Sequence, residues 1–470
     1  MTEGPPASDL AFRVADQLRL TVPWDVVGQR VRRFELHLQG TEVELERGPI
    51  AVEGYGIRVF PSKGERLSPG FQASTDLSPK GISTTVREAE TVARHADFPA
   101  RSVDLPSGSG GAAPAVPVVD PKLWDDPMGT LQGYVHALVE AFRGRPGVAL
   151  SFGSVRTSLS EMSVTNSAGR KATLASTLVE LELAIKAFGG PEGSPPGEYW
   201  VNESFRRLDP GRAAASVAEW CRYAQDVRRA KPPPSGDLAV VLPTDVLAGI
   251  LLPVIGSRFS GSARLRRIAP EVGTTVGTDR LTVRDEGDYP WSVGSAPYDD
   301  EGSARSRQTL VERGVVAGHL YDSLYAAALG TASTGNAVRS AVGPSGGLRF
   351  AHPPSPGLST LVVAPGDGGS TDELLAAAGD GIYVTQLGWA SPDPISSSFG
   401  GEIRIGYRIR GGKLAEPVRG GTVGGVVLAP PRAPSLFANL LAVGSQTAVS
   451  DALVSPTLVV RPLTVAGTSG

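Results

Sequence analysis

Between positions 34 and 39, Phe34, Leu36 and Leu38 alternate with Glu35, His37 and Gln39, the period-two pattern of a strand with one buried face. Val43 and Leu45 carry the pattern past a turn at Gly40-Thr41, and residues 57–60 read as a third strand. Two helices flank this meander. One covers residues 10–18, with Ser8 or Asp9 as N-cap, and the other covers residues 78–94, where the apolar spacing becomes helical. Residues 1–98 are thus expected to form an N-terminal α+β domain. A linker is expected at 99–121, because residues 107–117 are almost entirely Gly, Ser, Ala and Pro.

The next unit, 122–230, reads as a middle α+β region. Asp126-Pro127 opens a helix whose Leu131, Val135, Leu138, Val139 and Phe142 share one face. Strands are predicted at 147–154, 161–166 and 173–187. Asp209-Pro210 opens a second helix with an apolar stripe of Val217, Trp220, Cys221, Ala224 and Val227. Lys231-Pro232-Pro233-Pro234-Ser235-Gly236 is the sharpest break in the chain. Beyond it, 237–470 reads as a β-rich C-terminal domain, with strands predicted at 238–242, 361–364, 381–385, 403–409 and 424–428. Helices are predicted at 246–252 and 321–329, the second closed by Gly330. The fold class is α+β: an N-terminal part with a mixed or antiparallel sheet, then curved antiparallel sheets with a few helices.

Composition narrows the function classes. With 58 Gly and 39 Pro in 470 residues and no collagen-like period, the chain is turn-rich rather than fibrous. A net charge of −3 without a basic stripe argues against nucleic-acid binding. A single cysteine, Cys221, rules out an internal disulfide and a cysteine-based zinc site. The longest apolar stretch, 246–256, is too short to span a bilayer and contains Pro253. Glu3 and Asp9 precede any apolar run, so no secretory signal is read; a cytoplasmic protein with no membrane partner is expected.

The chemistry is sparse. His37, His95, His136, His319 and His352 form no His-x-x-x-His or His-Glu-x-x-His pair and read as surface or internally satisfied side chains. Gly343-Pro344-Ser345-Gly346-Gly347 matches the nucleophile-elbow string, but Pro353-Pro354 follows too closely for the helix an elbow needs. Cys221 lies on a buried stripe and reads as core. Asp299-Asp300-Glu301, followed by Gly302, Arg305 and Arg307, is either a cation or ammonium site or a solvated turn balanced by its arginines. Asp285, Glu286 and Asp288 form a second, weaker cluster.

Several segments then align in order along the chain. Pro297-Tyr298-Asp299-Asp300-Glu301-Gly302, residues 310–314, Tyr321-Asp322 and Thr331-Ala332-Ser333-Thr334-Gly335-Asn336-Ala337 resemble the C-terminal domain of the TldD/PmbA family, named as modulators of DNA gyrase and regarded as metallopeptidases. Gly54-Tyr55-Gly56-Ile57-Arg58-Val59 and residues 70–78 resemble its first domain. Residues 400–406, Gly411-Gly412-Lys413-Leu414, Pro417-Val418 and Thr422-Val423-Gly424-Gly425 resemble its late strands.

The resemblance implies a subtype. Catalytic members carry Gly-Ile-Leu-Leu-His-Glu-Ala-Ile-Gly-His, a zinc-binding helix. Here the sequence is Gly249-Ile250-Leu251-Leu252-Pro253-Val254-Ile255-Gly256-Ser257-Arg258. Anchored on Ile255-Gly256, Leu252 and Ser257 replace the histidines and Pro253 the glutamate; shifted by one, Pro253 and Val254 stand there instead. Leu and Pro have no lone pair for zinc, and a serine hydroxyl is a poor ligand beside imidazole. A C-terminal cysteine that helps bind zinc in catalytic members is missing too. The chain therefore resembles the PmbA (TldE) type, with no catalytic or metal residue of its own.

That resemblance implies a non-catalytic subunit of a heterodimer that shapes the substrate chamber for a TldD-type partner. The partner would carry the zinc and cleave peptides. Asp299, Asp300 and Glu301 are the expected substrate contacts, with Asn336 and Arg339 behind them. Two alternatives stand: a pair hydrolysing an amide or related bond of a small metabolite in natural-product biosynthesis, and a homodimeric binding or scaffold protein.

Overall fold

The protein is described from a computed structural model, which covers residues 8–108, 115–189, 196–339, 347–388, 390–429 and 435–467. A six-stranded antiparallel sheet runs, in spatial order, Gly70–Ser74, Glu42–Val59, Trp24–Gln39, Val148–Asn166, Lys171–Ala187 and Gly197–Phe205. Trp24–Gln39 pairs with both Glu42–Val59 and Val148–Asn166, so the segments on either side of the 99–121 stretch share one sheet.

Three expected strand assignments change. Residues 57–60 do not form a separate strand but end the 18-residue strand Glu42–Val59. Its first half is solvent-exposed, Val43 and Leu45 included, so the alternation there has no buried face to report. The two strands predicted at 147–154 and 161–166 are one strand, Val148–Asn166, interrupted in sequence by a Ser- and Thr-rich middle.

Helix starts follow their caps. Ser78 accepts from Gly81 N ahead of Pro79–His95, Asp126 from Gly129 N ahead of Pro127–Phe142, and Asp209 from Gly211 N and Arg212 N ahead of Pro210–Arg229. The last two helices cover one face of the sheet. Leu131, Leu138, Val217, Trp220 and Cys221 pack there against Leu36, Leu38, Val155, Leu159 and Leu181 in a single apolar core. The other face of this sheet meets the C-terminal domain.

That domain is β-rich and curled. Gly236–Leu242 pairs in parallel with Gly381–Gly388 and antiparallel with Leu453–Ala466. Ser398–Arg410 and Thr422–Val426 complete a closed ring of five strands. Leu361–Val363, Val283–Glu286 and Arg307–Glu312 extend the sheet outward from Leu453–Ala466. The α+β class holds, with parallel pairs inside an otherwise antiparallel sheet.

The helix predicted at 246–252 is longer, Thr244–Arg258, and runs through Pro253. An interior proline costs a helix about 3 kcal/mol. Val246, Leu247, Ile250, Leu251, Val254 and Ile255 are all buried in the largest apolar core, each contributing about 1.5–3 kcal/mol, so packing outweighs the lost donor. Among the described residues no helix is long and apolar enough to cross a membrane.

Candidate functional site

A cavity of about 940 Å³ lies where the N-terminal sheet meets the C-terminal domain. One wall comes from the sheet face opposite its helices. Val31 on Trp24–Gln39, Ser160 on Val148–Asn166 and Ser176 on Lys171–Ala187 stand side by side in register, as do Ser158 and Leu178 on the last two strands, and Gln29 lines the same wall. Period two explains the composition: Leu159 points to the helices and its neighbours Ser158 and Ser160 point to the cavity. The second wall is the 244–258 helix, through Ala248, Gly249, Leu252, Pro253, Gly256 and Ser257. Arg206, Arg305, Arg339, Arg349 and His352 add guanidinium and imidazole groups, with Asp451 as the acidic lining residue.

Leu252, Pro253 and Ser257, where the resemblance places the two histidines and the glutamate of the zinc motif, thus line this chamber. Catalytic zinc takes imidazole, thiolate or carboxylate ligands. Leu252 and Pro253 offer none, and Ser257 offers a neutral hydroxyl. No group of three or more His, Cys, Asp and Glu able to hold a metal ion occurs among the described residues. The donor set here does not fit a zinc centre. Nor, among the described residues, does a hydrogen bond join a cavity serine to a histidine ring, so no nucleophile–base unit is assembled. Residues 343–346 of the elbow-like string lie outside the described residues.

Behind the arginines lies a buried ionic network. Asp25 and Arg58 face each other across the Trp24–Gln39 and Glu42–Val59 pair. Arg58 donates through Nε to Asp25 Oδ2 at 2.8 Å and through Nη2 to both Asp25 and Glu301, the latter at 2.5 Å. Arg339 reaches Asp25 Oδ1 from Nη2 at 3.0 Å, the His352 carbonyl from Nη1 at 3.1 Å and the Asp300 carbonyl from Nε at 3.3 Å. Arg349 Nη2 lies 2.8 Å from Asp300 Oδ1. Both halves of the protein are joined through these contacts.

The five expected contact residues are therefore brought together, but with different exposures to the cavity. Asp299, Asp300 and Glu301 are buried side chains and line none of it. Asp299 accepts from the backbone N–H groups of Glu301, Ser303 and Ala337, which folds its own loop. Burial and the adjoining Glu301 push its carboxyl up to about 7. Asp300 Oδ2 accepts from Arg339 N, and Glu301 Oε2 accepts from Ser323 N. Asn336 donates to Asp285 Oδ2 at 2.6 Å and to the Gly357 carbonyl. Arg339 alone of the five reaches the cavity wall. The run 299–301 is thus neither a solvated turn nor an open cation site but a loop held from inside.

Two other expectations bear on chemistry. His319 is buried and stacked on Phe259, with Nε2 2.9 Å from the Pro270 carbonyl, and burial lowers its pKa. Cys221 is buried, and burial raises its thiol pKa. Sequence reading did not single out Asp25, Arg58 or Arg206 as site residues; charge alone does not separate a buried arginine from a surface one.

Comparison with known proteins places this architecture. The family model for the PmbA/TldA metallopeptidase C-terminal domain matches residues 235–467. The chain belongs to the TldD/PmbA family. It is 26% identical over 231 residues to a metalloprotease TldD homologue of Haemophilus influenzae, covering 48% of this chain and 46% of that protein. It is 22% identical over 230 residues to metalloprotease PmbA of Escherichia coli O157:H7, covering 48% and 45%. The matched segment thus spans a little under half the length of these relatives. TldE from Thermococcus kodakarensis shares the fold, with a TM-score of 0.78 over 98% of this chain and 99% of that one at 18% identity.

Proposed function

We propose that this chain is the TldE-like, non-catalytic member of a metallopeptidase pair, completing a substrate chamber for a TldD-type partner that carries zinc and cleaves peptides. The observation that carries the reading is the helix Thr244–Arg258. It forms one wall of the chamber and presents Leu252, Pro253 and Ser257 there. Amide hydrolysis needs a polarised carbonyl and an activated water, which zinc supplies when bound by the partner. This chain would contribute binding and orientation. The Ser158, Ser160 and Ser176 hydroxyls and the Gln29 amide offer hydrogen bonds to an extended backbone, and Leu252, Leu178 and Leu358 exclude water. Arg339, held by Asp25 and Asp300, would be the contact among the five predicted residues; Asp299, Asp300, Glu301 and Asn336 would act by positioning it. The similarity in fold to a protein named TldE supports the partnership. Co-expression with a TldD-type chain tests it: a 1:1 complex with peptidase activity is expected, inactive when the partner's His-Glu-x-x-x-His is mutated. A stable homodimer that ignores the partner would overturn the proposal.

A further inference from the structure

Arg206 is a buried guanidinium without a counter-ion. Its Nε donates to the Ser292 carbonyl at 3.2 Å, Nη1 to that of Thr177 at 2.9 Å, and Nη2 to those of Val293 and Ser295 at 2.5 and 3.2 Å. Four carbonyls fix its plane and stitch the N-terminal sheet to the C-terminal domain, but they leave its charge unneutralised. No carboxylate forms an ion pair with it among the described residues, and the charges that act on its ionisation are those of Arg349 and Arg305. Burial, then Arg349, then Arg305, push its pKa down to about 9. Arginines are rarely buried unless paired, because an isolated charge in low dielectric is costly.

Two other groups wait on the same cavity. Arg305, 5% exposed, donates from Nε to the Tyr298 carbonyl, while its Nη1 has no partner. Ser158, 3% exposed on the facing sheet, has an unpartnered hydroxyl. Both line the chamber with Arg206. Arg305 also feels the buried Asp285 and Asp299, so the excess charge belongs chiefly to Arg206. Leu178, Leu252, Pro253 and Leu358 supply an apolar part of the lining beside these groups.

We propose that the cavity binds a carboxylate carried on an apolar body, with the carboxylate at Arg206, Arg305 and Ser158 and the body against the 244–258 helix. One unneutralised guanidinium, one unpartnered amino group and one hydroxyl match a monoanion with two acceptor oxygens better than a phosphate dianion. The cavity, about 940 Å³, has room for a drug-sized ligand. The carboxylate could belong to a free organic acid or to the C-terminus of a short peptide; the chemistry at the arginines is shared. The inference concerns this chain alone and does not rest on the proposed partnership.

Calorimetric titration of the isolated full chain tests it with three probes: N-acetylphenylalanine, its neutral amide, and 3-phenylpropionate. At least one acid should bind tenfold or more tightly than the amide. Preference for N-acetylphenylalanine assigns the site to a peptide terminus, and preference for 3-phenylpropionate to a simple acid. Arg305→Gln and Leu252→Trp, which fills the apolar side, should each weaken the acid at least tenfold. Ser158→Ala should weaken it measurably, which keeps the test open if Arg305→Gln fails to fold. Equal binding of acid and amide, no binding of either acid at millimolar concentration, or variants with unchanged affinity would overturn the proposal.

Discussion

Replacing Arg58 by Met removes the cation that two buried carboxylates share. Its side chain is 3% exposed, and it ties Asp25, next to it across the strand pair, to Glu301 in the C-terminal domain. Met keeps most of the volume beside Phe60, whose ring centroid lies 4.7 Å from the guanidinium carbon, so packing loss is small. What remains is charge. Asp25 retains Arg339 at 3.0 Å, but Glu301 loses its ion-pair partner and keeps only the Ser323 N–H at 2.9 Å. Removing one member of a buried pair costs about 3–5 kcal/mol, because the remaining charge is stranded in low dielectric. Urea unfolding, followed by both tryptophan fluorescence and circular dichroism to check for a single transition, should show a loss in that range. The second half of the cycle is more telling. Adding Glu301→Gln to the Arg58→Met chain removes the stranded charge and keeps an acceptor for Ser323 N, so the double variant should be more stable than Arg58→Met alone. A single-variant loss under about 1 kcal/mol, or two losses that simply add, would refute the picture of a buried coupled network.

Three further perturbations follow from the same geometry. Burial, then Glu301, raise the Asp322 carboxyl well above its ordinary value, and its Oδ2 has no partner while Oδ1 caps Tyr325 N at 2.7 Å. The folded state then holds a proton the unfolded chain releases from about pH 4 upward, so stability falls as pH rises through that window. Asp322→Asn keeps the cap and should flatten the slope, leaving the part due to the other raised carboxyls, Asp285, Asp299, Glu203 and Asp451; an unchanged pH–stability profile would count against it. A Cβ added at Gly56 would lie 2.4 Å from the Phe350 carbonyl and 2.8 Å from the Phe71 ring, so Gly56→Ala should cost about 1–3 kcal/mol in denaturant unfolding, and a neutral result would contradict that contact. Ser158→Ala removes a buried orphan hydroxyl and should raise stability by up to about 1 kcal/mol in the same assay; a loss of similar size would mean the hydroxyl has a partner.

Much of the scaffold was readable from residue order, for local reasons. The alternation at Phe34, Leu36 and Leu38 reported a buried face, and Ser78, Asp126 and Asp209 announced helices through cap chemistry that acts within three residues. Where a strand faces water or a polar cavity the signal vanished. Residues 42–49 are exposed, and Ser158 and Ser160 break the apolar rhythm of Val148–Asn166 although they sit mid-strand. The ionic network escaped for a different reason. Arg58 and Glu301 are 243 positions apart, and Arg339 and Asp25 are 314 apart. No local pattern marks such a pair as buried. The run Asp299-Asp300-Glu301 stood out by charge, but backbone N–H groups and arginines enclose all three. The zinc-helix substitutions could be read only against the family resemblance, and their place on a cavity wall only from the packed structure.

Whether this chain is the metal-free member of a pair is decided by the zinc content of the chain purified alone, measured by mass spectrometry beside that of its complex with a TldD-type partner. No stoichiometric zinc is expected in the isolated chain, with unfolding unaffected by a chelator and one zinc per pair in the complex. One tightly held zinc per isolated chain would contradict this expectation.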